Sequence, residues 1–231
     1  MLILALETAT ESVGVALGTA DGPMATVEVA RGRRHTETLV PAVEFVCRQA
    51  DVALAEVTSV AVDVGPGLFT GMRVGIATAK AFAMALDIGV IPVSSLEVLA
   101  GGVDANDRVV VPVVDTRKGE VAWSMMRMVD GRPHRLTEPT IGSVDDLVAD
   151  LMARDQPSVC VGDGAARYRE DIIDGAGCAV AAPVHPSPVA LLAAGVVAAV
   201  DERWCAPHEV EPLYLREPDA TINWTTRQVR P

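Results

Sequence analysis

The chain has 231 residues, half of them hydrophobic, with aromatics at only 3% and a formal net charge of −12. That length and apolar content suit one large domain or two small lobes with a core of Val, Ala and Leu. The charge excludes this chain alone as a grip on a nucleic-acid backbone, because such binding rests on Lys and Arg neutralising phosphates; a nucleic-acid role needs a basic partner. Cys47, Cys160, Cys178 and Cys205 stand far apart with no C-x-x-C pair, which predicts reduced thiols in a cytoplasmic protein. Residues 1–7 lack a basic n-region and are too short for a signal sequence. The longest apolar run, residues 188–200, is too short to cross a bilayer and reads as a buried helix.

In chain order, residues 2–8 and 12–18 read as strands joined by Ala9-Thr10-Glu11. In the second, Val13, Val15 and Leu17 share one face, while Ser12, Gly14 and Ala16 share the other, a small-residue face open to a ligand or a close-packed helix. Asp21-Gly22 makes a turn, and residues 25–30 complete an antiparallel meander. Arg31-Gly32-Arg33-Arg34-His35 is a basic patch in an acidic chain. A helix is predicted from about Thr38, with Pro41 in its first turn. Leu39, Ala42, Val43, Val46 and Ala50 fall on one face, and Phe45 lies on the polar side as an interface candidate.

The chain is organised around its next element. The β-branched run at residues 59–64 reads as a buried strand, ended by Gly65-Pro66-Gly67, and an Ala-rich helix starts near Thr70. Strand, glycine turn and helix can cradle an anion, or the glycines can let the helix pack closely on the sheet. The spacing matches neither dinucleotide nor P-loop fingerprints, so packing is the favoured reading. From Met72 to Leu86 the clearly polar side chains are Arg73, Thr78 and Lys80. A helix that is apolar nearly all round must be covered nearly all round. One side suits a sheet; the other needs a second helix of the same domain or another protein. Arg73 and Lys80 stand at i and i+7 on one face, and the surrounding Ala77, Ala81 and Met84 are predicted to meet a partner helix.

Residues 90–93 form a short strand, and Ser94 or Ser95 caps a helix over 96–100. The glycine- and Asx-rich stretch that follows divides the chain into an N-terminal lobe, 1–104, carrying the partner-binding helices, and a smaller C-terminal lobe, 105–231, with a C-terminal helix and tail. The second lobe reads as strands at 109–114, 121–129 and 158–161. Helices are expected after Ser143 through Ala153, at 165–173 and at 188–200. Charged and glycine turns fall at 115–120 and 162–164. The tail is polar and Pro-rich, with Tyr214-Leu215-Arg216 its one ordered-looking stretch. The whole is α/β, with a mixed sheet in each lobe.

Several segments resemble one family. Residues 2–10 are similar to its opening strand and turn. Arg34-His35-Thr36-Glu37-Thr38-Leu39-Val40-Pro41 resembles its R-H-[ST]-E-x-L-x-P segment. Gly65-Pro66-Gly67-Leu68-Phe69-Thr70-Gly71-Met72-Arg73-Val74-Gly75 matches G-P-G-S-F-T-G-[LM]-R-[IV]-G except for Leu68. Asp115-Thr116-Arg117-Lys118-Gly119-Glu120-Val121, Gly162-Asp163-Gly164-Ala165 and Tyr214-Leu215-Arg216 follow in order. By these motifs the chain is identified as a member of the bacterial TsaB (YeaZ) family, within the ASKHA superfamily of acetate and sugar kinases, Hsp70 and actin.

That resemblance implies two actin-like, RNase H-like lobes, each a mixed sheet with flanking helices. It implies a non-catalytic subunit of the machinery that makes threonylcarbamoyladenosine next to the anticodon in tRNA. The partners implied are a TsaD-like catalytic subunit and a TsaE-like ATPase, with tRNA met only through the complex and no membrane. The paralogous catalytic subunit holds metal through H-x-x-x-H. Here Leu39 stands four residues after His35, and His134, His185 and His208 are scattered, so no metal is expected. ASKHA kinases set a glycine-containing D-x-G-[ST] turn around the nucleotide phosphates, and Glu7-Thr8-Ala9-Thr10 lacks that glycine. No tightly bound cofactor is expected; ATP or ADP is placed at the complex interface, with Thr8, Thr10, Gly65 and Gly67 nearest to it. Glu7, Asp63, Asp115 and Asp163 read as turn and cap residues rather than catalytic acids. The alternatives are a stand-alone ATP-dependent ASKHA enzyme or an M22-like peptidase. Whether the free chain forms a homodimer through the same surface is left open.

Overall fold

The structure is a computed structural model, described here for residues 1–30, 34–105, 107–154 and 156–215. The first lobe runs β1 (Ile3–Glu7), β2 (Val13–Thr19), β3 (Gly22–Val29), α1 (His35–Gln49), β4 (Ser59–Asp63), α2 (Phe69–Leu86), β5 (Gly89–Val93) and α3 (Ser95–Gly101). The second runs β6 (Val109–Arg117), β7 (Glu120–Trp123), β8 (Met126–Val129), β9 (Arg132–Arg135), β10 (Thr140–Ser143), α4 (Val144–Met152), β11 (Ser158–Val161), α5 (Asp163–Arg167), α6 (Arg169–Ala176) and β12 (Ala179–Val180). A final helix, α7 (Pro188–Val200), follows. Each lobe repeats one plan. A central strand pairs antiparallel with the next strand and parallel with the strand beyond a helix, giving the orders β3-β2-β1-β4-β5 and β10-β7-β6-β11-β12. The α/β, two-lobed expectation holds.

The first sheet is buried on both faces, which is why β1 and β4 lack alternation. On one face, Leu39, Val43 and Val46 of α1 and Ile76, Ala79 and Ala83 of α2 join Leu4, Leu6, Val13, Val60 and Val62. On the other, Ile3, Ala5, Ala16, Ala61 and Ile91 meet Leu191, Leu192 and Ala198 of α7. The small-residue face of β2 is therefore a helix seat: side chains at Gly14 and Gly18 would collide with Pro188 and Leu192. The apolar run 188–200 is a helix as expected, but the division at 104/105 assigns it to the wrong lobe. The chain returns to the first lobe because that sheet's second face has no other apolar cover. α3 stands between the lobes, with Val98 in the α7 core and Leu96 and Leu99 packed on β6, β8 and β11.

Other expectations need correction. α1 starts at His35 rather than near Thr38, so Pro41 lies in its second turn, on the exposed side. The anchor is His35, whose buried Nε2 donates to the Thr10 carbonyl at 2.8 Å. Of the basic patch, residues 31–33 lie outside the described residues, Arg34 is exposed and His35 is buried, so it is not a continuous cationic surface among the described residues. The strand predicted over 121–129 breaks into β7 and β8, and β8 turns through Asp130 and Gly131, both at positive φ, into the unforeseen β9. The helix predicted over 165–173 breaks at Tyr168.

The central turn is held by close approach. Gly65 adopts φ +100°, a conformation that favours glycine. Gly67, just before α2, and Gly71 and Gly75 within it recur at four-residue spacing. A Cβ at each would strike the carbonyl of Ala9, the carbonyl of Thr8 and the hydroxyl of Thr8 respectively. The gap so closed carries two hydrogen bonds: Thr8 Oγ1 donates to the Gly71 carbonyl at 2.8 Å, and the Leu68 amide donates to the Ala9 carbonyl at 2.7 Å. Below it, Glu7 and Asp63 end the parallel neighbours β1 and β4, both fully buried. Glu7 accepts from the Ala9 amide at 2.8 Å; Asp63 accepts from the Gly65 amide at 2.7 Å and the Ser95 hydroxyl at 2.5 Å. Burial, then the neighbouring Asp63, holds the Glu7 carboxyl well above the usual carboxylate range. Burial also raises Asp63, opposed by hydrogen bonds from Glu7, Ser95 and Gly65. The pair is read as a protonated Glu7 donating to an Asp63 carboxylate.

Two outcomes follow for this core. In the unfolded chain Glu7 loses its proton near the ordinary value, while the native state keeps it to higher pH. Native protein thus binds more protons between the two values, and its stability is full below the unfolded value and falls as pH rises through the folded one. Glu7→Gln, which keeps a donor toward Asp63 without the proton, should flatten that fall, so its advantage over wild type grows from about pH 5 to about pH 8. Parallel stability–pH curves in urea titrations would refute the shared proton. Separately, Gly71→Val should cost about 2 kcal/mol or more through overpacking against Thr8 and His35, read as a lowered urea midpoint.

Candidate partner-binding face and interlobe cleft

Among the described residues, no other element covers the outer side of α2 beyond its first turn. Gly71, Met72, Gly75, Ile76, Ala79 and Ala83 face inward, and Phe69, Thr70, Arg73, Ala77, Ala81, Met84 and Ala85 are exposed. Met84 is 73% exposed and Phe69 55%. The predicted stripe Arg73, Ala77, Ala81 and Met84 thus lies on the surface as one apolar band with a single cation. Lys80 is half-buried at its edge, close enough to Cys205 to offset part of the rise that burial imposes on that thiol. Phe45 of α1 is also exposed, with the Arg48 guanidinium 5.9 Å from its ring centre. α1 packs beside α2.

The segment after α7 borders this band. Cys205 bridges to Val90 on the outer edge of β5, Val210 is buried, and the Leu213 amide donates to the Val64 carbonyl at 2.8 Å. That bond brings Tyr214 to the start of α2. Its ring stacks on Phe69 at 5.7 Å, and its Oη accepts from Arg73 Nε at 2.8 Å. The Arg73 guanidinium lies 3.7 Å from the centre of the Phe69 ring. Sequence reading marked Arg73 and the ordered look of Tyr214 separately. Their contact spans 141 residues and leaves no periodic signal, whereas Phe69, one turn before Arg73, was legible as an i,i+4 neighbour.

The candidate nucleotide groups lie in the turn–helix contact. Thr8 and Thr10 are buried, the Thr8 hydroxyl is bonded to Gly71, and the space a phosphate oxygen would need above Gly67 is filled by the Ala9 carbonyl. Taken alone, these residues do not fit a nucleotide phosphate. The cleft between lobes is closed as well. Arg117, in the β6–β7 turn, reaches Glu11, in the β1–β2 turn, at 2.6 Å. It also pairs with Asp115 at 3.2 Å, which in turn holds Arg167 at 2.8 Å. The Asp115 amide donates to Asp163 Oδ1 at 2.9 Å, and burial raises the Asp163 carboxyl. Arg117, Lys118 and Gly119 all adopt positive φ, which turns Arg117 toward the other lobe. Corresponding turns of the two lobes are thus bonded to each other. Sequence reading placed Asp115 and Asp163 in turns but missed the Glu11–Arg117 pair, which only the opposition of the lobes creates. Among the described residues, no group of three His, Cys, Asp or Glu side chains is placed to hold a metal ion. No described helix is long and apolar enough to cross a membrane.

Comparison with known proteins agrees with this architecture. Residues 28–224 match the family model described as TsaD, tRNA N6-adenosine threonylcarbamoyltransferase. The tRNA threonylcarbamoyladenosine biosynthesis protein TsaB of Bacillus subtilis is 30% identical over 99% of this chain and all of its own length. The YeaZ structure from Pseudomonas aeruginosa superposes with a TM-score of 0.83 at 27% identity, covering 93% of this chain and 99% of that one. The activator of the 2-hydroxyisocaproyl-CoA dehydratase from Clostridium difficile, at 12% identity and a TM-score of 0.52 over 87% of this chain and 98% of its own, shares the fold alone. Repeated lobes, the glycine-striped central helix and full-length similarity to both TsaB and YeaZ lead to one assignment: the chain belongs to the TsaB (YeaZ) family of ASKHA-fold proteins.

Proposed function

We propose that this chain is the scaffold subunit for threonylcarbamoylation of the adenosine next to the anticodon in tRNA, and that it acts by pairing with a TsaD-type enzyme in the cytoplasm. The relatives named TsaB support the pathway. The observation that carries the mode of action is the uncovered outer face of α2, an apolar band with no other element of the described chain over it. Such a face on a strongly acidic chain suits a protein partner, not tRNA. The pairing surface comprises Phe45, Arg73, Ala77, Lys80, Ala81 and Met84. The acyl transfer and any metal belong to the TsaD-type subunit, and a TsaE-type ATPase resets the complex. This chain contributes by binding one arrangement of the enzyme better than others, a shift of populations. ATP or ADP, in this reading, sits at the shared interface and takes its phosphate donors from the partner.

Two measurements test this. Ala77→Asp would bury an unpaired charge and should weaken the pairing by at least about 3 kcal/mol while leaving the melting of the free chain near wild type; unaltered co-purification with the partner would show the surface to be misplaced. In reconstitution with tRNA, threonylcarbamoyl-adenylate, ATP and the partner subunits, modification should require this chain. It should survive Glu7→Ala provided the variant folds, and fail with Ala77→Asp. Equal modification without the chain, or ATP turnover or peptide cleavage by the chain alone, would favour a stand-alone enzyme.

A further inference from the structure

Residues 69–86 contain no Asp or Glu in a chain of net charge −12. The helix's charges are Arg73 and Lys80, and of these Arg73 alone is exposed. Its guanidinium is not free to swing. Phe69 lies under it at 3.7 Å, the Tyr214 ring stands 5.8 Å away, and Nε is bonded to Tyr214 Oη. Tyr214 is itself fixed through the backbone bond of Leu213 to Val64. Nε being taken, the two Nη atoms have no acceptor among the described residues. A guanidinium presents its N–H groups as a planar fork that matches a carboxylate with two parallel bonds. Held over an aromatic ring and bonded through Nε, that fork has little freedom left to lose on binding.

Resting on the pairing proposed above, we infer that Arg73 is a receptor for one carboxylate of the TsaD-type partner and that Tyr214 is its positioning residue. The occupant is an Asp or Glu side chain whose two oxygens accept from the Nη atoms at the edge of the apolar band. A second copy of this chain fits less well. Two α2 faces meeting would oppose two arginines with no acid from either helix, and the exposed acids of the helix pair, Glu37 and Glu44, lie on α1. The charged contact selects the partner, while the apolar band supplies area.

The test is calorimetric titration of the purified chain with the purified TsaD-type subunit, without tRNA, at low and high salt. Arg73→Gln should weaken binding by about thirtyfold and flatten its salt dependence. Arg73→Lys should keep the salt dependence and lose about tenfold, because a point charge lacks the fork. Tyr214→Phe should lose a few-fold with the salt dependence kept. Arg73→Glu should recover on pairing with one Asp→Lys or Glu→Lys variant of the partner's docking face. Binding by Arg73→Gln within about twofold of wild type, while Ala77→Asp abolishes it, overturns the receptor and leaves the pairing intact. Wild-type binding by both variants removes the pairing and the receptor with it. If Arg73→Gln dissociates a homodimer in sedimentation yet binds the enzyme unchanged, the carboxylate belongs to a second copy and the inference is overturned.

Discussion

The arrangement depends on how closely α2 approaches the turn between β1 and β2. Gly67, Gly71 and Gly75 put backbone against backbone there, and any Cβ on that line would collide with Thr8 or Ala9. This contact fixes the rotation of α2 about its axis. Ile76, Ala79 and Ala83 then point into the core, and Ala77, Ala81 and Met84 have nowhere to go but outward. The exposed apolar band is thus not an accident of composition. It is the far side of a helix whose near side is dictated by three glycines.

The same contact explains why a motif with the look of an anion cradle does not act as one within this chain. A cradle needs open space above free amides. Here the space is taken by the opposite turn, whose Ala9 carbonyl accepts from the Leu68 amide and whose Thr8 hydroxyl donates to the Gly71 carbonyl. The two acids beneath are both raised, first by burial, because neither can be hydrated. Glu7 and Asp63 close the turns after their own strands through the Ala9 and Gly65 amides, and the Ser95 hydroxyl ties Asp63 of β4 to α3. Across the cleft, Arg117 stands where two turns face each other and neutralises Glu11 and Asp115. The acids at these strand ends are thus engaged in hydrogen bonds or ion pairs within the chain.

Family membership and geometry support each other at different levels. Similarity over the full chain establishes kinship and a fold of two repeated lobes. The proposed pairing rests instead on the exposure pattern of α2 and on the bracketed Arg73. The first lobe carries that surface, and it is also the lobe the chain comes back to complete. α7 covers its sheet, and residues 205–214 lie along β5 and α2.

By itself the sequence determined the elements whose signals are local. Apolar runs without alternation mark β1, β4 and β6 because strands buried on both faces need none. Ser94 or Ser95 and Ser143 mark helix starts because a hydroxyl can accept from the first-turn amides, as Ser94 and Ser143 do here. The acid-free, Ala-rich character of α2 marks a helix that needs more apolar cover than one sheet can give, from its own domain or from another protein. Only the tertiary structure decided which side of α2 is covered, that α7 belongs to the first lobe, that Tyr214 brackets Arg73, and that Glu11 meets Arg117. Each is a contact between residues far apart in the chain, set by the closing of layers and lobes. Hydrophobic periodicity records that a face must be buried, but carries no information about which distant segment buries it.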